Sequence, residues 1–61
     1  MMLEKIRKLC SERGITINKL EVLCGFSHGA IQHWDRHPPS VLKAKAVCDT
    51  LGIKIDDLFG E

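Results

Sequence analysis

Four interruptions decide what this chain can become. Gly14, Gly25 and Gly52 are three of them, and the Pro38–Pro39 pair is the fourth. Proline lacks an N–H and clashes with the turn before it, and glycine just past a periodic run ends a helix. The longest piece free of these breaks is residues 1–13. No long helix or coiled coil fits between such breaks. A membrane span is excluded too, because it needs about 20 apolar residues in a row.

Within the pieces the apolar period is helical. Leu3, Ile6, Leu9 and Cys10 form one stripe ahead of Gly14. Thr16 is an N-cap for a second helix with Leu20, Leu23 and Cys24 facing inward, stopped at Gly25. Ser27 is a third cap, ahead of Ala30, Ile31 and Trp34. Ser40 caps a fourth helix carrying Val41, Ala44, Val47, Cys48 and Leu51. Asp56 to Phe59 make a last turn or short helix. No window alternates with period two long enough for a strand. The expected architecture is all-α, one domain over residues 1–61, with helices near 2–13, 17–24, 28–35, 41–51 and 56–59.

A chain of 61 residues buries only about 60% of its unfolded surface. Its core must be dense, and no pocket for catalysis is expected between such short helices. Ser, His and Asp occur, but no nucleophile has an evident oriented base, so the chain is not expected to be an enzyme. Cys10, Cys24 and Cys48 are odd in number and widely spaced, with no C-x-x-C. They read as thiols in a reducing, cytosolic setting rather than as a disulfide framework or a zinc ribbon. The opening "MMLEKIRKLC" mixes charge with apolar residues and is no signal peptide. A cytoplasmic location without membrane contact is expected.

Net charge is only +1, but it is unevenly placed. Residues 27–45 hold Arg36, Lys43 and Lys45 against Asp35, together with His28, His33 and His37. Residues 46–61 hold Asp49, Asp56, Asp57 and Glu61 against Lys54. The basic middle suits an anionic partner better than the total implies.

Residues 16–35 read as helix, glycine turn, helix. Leu20, Leu23, Ile31 and Trp34 point to one core, with Phe26 plugging the corner beneath Gly25. So short a turn makes two helices cross steeply, as in a DNA-binding helix-turn-helix. At about 100° per residue, Ala30, Ile31 and Trp34 fall on one side of the second helix. His28, Gly29, Gln32 and His33 fall largely on the other, with Ser27 at its start. These five are the candidate base-contacting residues. Gln32 can bind adenine through paired hydrogen bonds, and His28 or His33 can donate to guanine or to phosphate. Gly29 costs about 1 kcal/mol relative to alanine inside a helix. It either lets backbone approach DNA closely or merely eases the cap.

Thr16, Asn18 and Lys19 lie at a helix N-terminus, where free N–H groups favour an anion. Arg36, His37 and Lys43 flank the far end of the recognition segment. These six are the candidate phosphate contacts. Imidazoles near phosphate gain protons, so binding should tighten below about pH 6.5. His33 and His37 are four apart, but Pro38 breaks the helix and His28 sits on another turn. No metal site and no cofactor are expected.

The string "IRKLCSERGITINKLEVLCGFS" through "LGIKIDDLF" resembles the lambda-repressor-like (Cro/XRE-type) helix-turn-helix family over nearly the whole chain. The pattern "KLEVLCG…GAIQHW…PPS" is similar to a subgroup of prophage-type repressors and small regulators. The resemblance implies a regulator, a small phage- or prophage-type repressor, that reads double-stranded DNA in the major groove with the helix from Ser27. The chain departs from the family's usual pattern at several positions. Ile17 replaces a phosphate-gripping glutamine, and Glu21 replaces a small residue. Cys10 and Asp35 stand where an arginine–glutamate pair is frequent, and His37 replaces a glycine.

Leu42 and Ala46 lie opposite the inward stripe of the fourth helix, and Leu58 and Phe59 cannot easily both face one small core. Leu42, Ala46 and Phe59 are therefore candidates for pairing two copies, at least on DNA, where half-sites lie about 34 Å apart. The alternative function is a protein-binding adaptor on the same fold, antirepressor- or antitoxin-like, with a protein partner. Low net charge and the missing glutamine favour that alternative.

Overall fold

The computed structural model describes residues 2–60. It holds four α-helices: α1 (Met2–Glu12), α2 (Ile17–Cys24), α3 (Val41–Leu51) and α4 (Ile55–Phe59). One 3₁₀ turn, Ile31–His33, lies between α2 and α3. No strand occurs among the described residues.

The caps act where local chemistry puts them. The Thr16 hydroxyl accepts from Lys19 N at 3.1 Å, and the Ser40 hydroxyl accepts from Lys43 N at 3.3 Å. Each thereby satisfies one orphan donor of a first turn. At the end of α2, Gly25 takes φ 75°, a left-handed conformation that only glycine adopts at no steric cost. There Gly25 N donates to Val22 O at 3.1 Å and Phe26 N donates to Glu21 O at 2.8 Å. The same pair of bonds closes α1, from Gly14 N and Ile15 N, and α3, from Gly52 N and Ile53 N. The residue after each glycine, Ile15, Phe26 or Ile53, folds back against the core. One stop signal therefore ends each helix and also supplies an apolar residue to the interior.

The core joins Ile6 and Cys10 of α1, Leu20 of α2, Ile31 and Trp34, Ala44, Val47, Cys48 and Leu51 of α3, and Leu58 of α4. Two cations close three helix C-termini, where carbonyls lack partners. Arg13 donates through Nε to Leu51 O at 2.7 Å and through Nη1 to Leu9 O at 2.9 Å. Lys5 Nζ donates to Gly60 O at 2.6 Å, at the end of α4. Burial pushes the Cys10 and Cys48 thiols above their ordinary pKa, with Asp49 and Asp57 adding to the shift at Cys48.

The fold corrects several expectations. Residues 28–35 do not form an α-helix but a run of turns around the 3₁₀ segment. Gly29 sits at φ 82°, so a right-handed helix cannot pass through it. Ala30 N reaches Ser27 O, Gln32 N reaches Gly29 O and Trp34 N reaches Ile31 O, all with i→i+3 spacing. The Ser27 side chain is not the cap. Leu23 and Val41, expected inside, are 53% and 77% exposed. Each lies at the edge of its stripe, and the core is filled by Ala44, Val47 and Leu20. The last helix begins one residue earlier than expected, where Asp57 reaches back to accept from Lys54 N at 3.1 Å.

Candidate nucleic-acid interface

The segment between Gly25 and Pro38 is held from three sides. Ile31 and Trp34 insert into the core, Ile31 fully and Trp34 with 5% of its surface left exposed. The Trp34 ring lies 5.9 Å from that of Phe26, tilted by 58°. Asp35 Oδ1 accepts from Leu3 N at 3.2 Å, tying the segment to the first turn of α1. Below it lies Glu21 of α2, only 1% exposed. Its Oε1 accepts from Gly29 N and its Oε2 from Ile31 N, both at 3.0 Å. Glu21 thus takes the capping role expected of Ser27.

With Ile31 and Trp34 turned inward, Gln32 and His33 between them are exposed. Two open grooves flank this pair, although none was expected between such short helices. The first, of about 530 Å³, runs between the C-terminal half of α1 and the N-terminus of α2, and Gln32 forms part of its wall. Arg7, Ser11, Thr16 and Asn18 also line it. It joins a cation, two hydroxyls and two amides beside the N-terminus of α2, a set that suits an anion such as a phosphate. The second, of about 310 Å³, is lined by His33, His37, Ser40 and Lys43 against Trp34 and the two prolines. Lys43 Nζ stands 6.0 Å above the Phe26 ring, within cation–π range.

The structure therefore groups Gln32 with Thr16 and Asn18, and His33 with His37 and Lys43. Ser27, His28, Lys19 and Arg36 are exposed and line neither groove. Gly29 is half-buried with its N–H committed to Glu21. Among the pairing candidates, Leu42 is 80% exposed and Ala46 is half-buried on α3. Phe59 lies elsewhere, in a small groove with Met2, Lys5 and Leu58.

Two residues escaped sequence reasoning. Arg7 shares one face of α1 with Ser11, at i and i+4, a spacing that the sequence shows. Glu21 completes the inward stripe Ile17, Leu20, Glu21, Cys24. A lone acid on an apolar stripe is the signal of a buried carboxylate that has a partner to meet.

A family model described as a Cro/C1-type HTH DNA-binding domain matches residues 5–60. No curated protein and no solved structure matches the chain significantly.

Proposed function

The chain belongs to the Cro/C1-type helix-turn-helix family of DNA-binding domains, and from that premise we propose that it is a sequence-specific transcriptional regulator, a small prophage-type repressor. The observation that supports this reading best is the inside-out placement of one tetrapeptide. Ile31 and Trp34 are buried while Gln32 and His33 face solvent, beside a groove that also holds the N-terminus of α2.

In this reading the turn over residues 27–37 enters the major groove. Gln32 and His33 are its central base contacts, with Ser27, His28 and the backbone at Gly29 at the leading edge. Thr16, Asn18, Lys19 and Arg7 hold phosphates on one flank, and Arg36, His37 and Lys43 hold them on the other. Two copies, joined through Leu42 and Ala46 or through Phe59, occupy half-sites about 34 Å apart. The protein works in the cytoplasm.

Selection of bound sites from random duplex DNA tests this proposal. Enrichment of a palindromic motif is expected, with affinity falling by about 0.9 log units per log unit of salt for each neutralised phosphate. A flat enrichment profile, or affinity indifferent to salt, refutes it.

A protein-binding adaptor is the second reading. Its support is the exposure of Val22, Leu23, Val41 and Leu42 on α2 and α3. Under that reading the chain shows no DNA affinity even at low salt.

A further inference from the structure

Glu21 is the one charged residue buried among the described residues, and DNA contact as drawn above makes no use of it. We propose that Glu21 is the positioning residue of the base-reading turn. Its carboxylate, clamped on Gly29 N and Ile31 N, decides which side chains of residues 28–33 face DNA. The inference rests on the DNA-binding reading and assigns a residue beneath the surface to its specificity.

The geometry carries the claim. Each carboxylate oxygen takes one N–H at 3.0 Å, from residues two apart. Two attachment points fix the rotation of the intervening backbone as well as its place. Gln32 and His33 follow directly, so their directions are set by the same clamp. The left-handed φ of Gly29 followed by right-handed Ala30, at φ −58° and ψ −41°, curls the N–H groups into a concavity suited to an anion. Glu21 supplies that anion from within the protein. Hydrogen bonds to an ionised acceptor are about twice as strong as neutral ones. The clamp therefore does the ordering that intrahelical bonds perform in a regular recognition helix. No buried side-chain polar atom among the described residues is left without a partner, so the clamp is fully satisfied.

Glu21→Gln tests the clamp with little change in shape. The amide keeps one acceptor oxygen, and its NH₂ group then faces an N–H, so one of the two bonds is lost. Amide hydrogen exchange at Gly29 or Ile31 is expected to accelerate while the amides of α1 and α3 stay protected. Preference for the selected duplex over a scrambled one is expected to fall roughly 10-fold, within the range of one bidentate base contact. The salt slope is expected to hold, because phosphate contacts are not removed. Equal weakening on both duplexes, together with a lowered melting temperature, marks a merely structural residue and overturns the proposal.

If Glu21→Gln does not fold, Gly29→Ala replaces it. Beyond its two chain neighbours, no atom of the described residues lies within 4 Å of the added Cβ, so only the left-handed backbone is penalised. The same loss of discrimination is expected, and full discrimination in that variant overturns the proposal. The two readings fail separately. An unmodified chain without affinity for any duplex refutes DNA binding. An unmodified chain that binds its selected site, with both variants equally discriminating, refutes the clamp alone.

Discussion

Ile31 and Gln32 are adjacent, yet the structure gives them opposite duties, and a pair of substitutions separates them. Ile31 is fully buried. Ile31→Val removes one methylene-sized group from a filled core, a change that costs about 1 kcal/mol. Unfolding entropy runs at about 2.1 cal/mol/K per residue, so a chain of 61 residues changes its melting point by about 8 °C for each kcal/mol. Ile31→Val should therefore melt about 8 °C lower, and its preference among DNA bases should be unchanged once folded. Gln32 is exposed, and its side chain makes no hydrogen bond that holds the fold among the described residues. Gln32→Ala should stay within about 0.5 kcal/mol of the unmodified stability, or about 4 °C. It should instead relax preference at one base step by about 1–3 kcal/mol. Calorimetry gives the first pair of values. Competition binding against duplexes altered one base pair at a time gives the second. A Gln32→Ala protein that melts lower than Ile31→Val, or that keeps full base preference, refutes the facing on which the DNA reading depends.

Three further outcomes rest on the same packing. Thr16→Ala and Ser40→Ala should each cost about 1 kcal/mol in urea unfolding, since each hydroxyl holds a first-turn N–H; no loss in either contradicts the caps. The Cys10 and Cys48 thiols are raised by burial, so the unfolded chain ionises first as pH climbs. The stability they contribute is whole below the ordinary thiol range and is lost as pH rises through the raised folded values; a urea midpoint that does not fall above about pH 9 counts against this. His33 and His37 share a groove with Lys43, so Lys43→Ala should flatten the salt dependence of DNA affinity by about 0.9 log units per log unit of salt, and an unchanged slope removes that contact.

Much of this molecule was legible because its punctuation is local. Thr16, Ser40, Gly14, Gly25, Gly52 and the proline pair act on the backbone within a turn of themselves. Helices over 17–24 and 41–51 therefore appear with the expected bounds. The inward placement of Ile31 and Trp34 was also readable, since residues three apart share a face in an α-helix and in a 3₁₀ turn alike. That same degeneracy hid the form of the segment, because the spacing is satisfied by either.

The sequence alone determined where α2 and α3 start and stop and that Ile31 and Trp34 go inside, because caps, left-handed glycines and side-chain period are properties of neighbouring residues. Only the tertiary structure decided that the expected recognition helix is a clamped turn. Glu21 and its partners lie eight and ten residues apart across the corner at Gly25. A carboxylate can outbid the helical carbonyl for those N–H groups only once the core has buried it beside them.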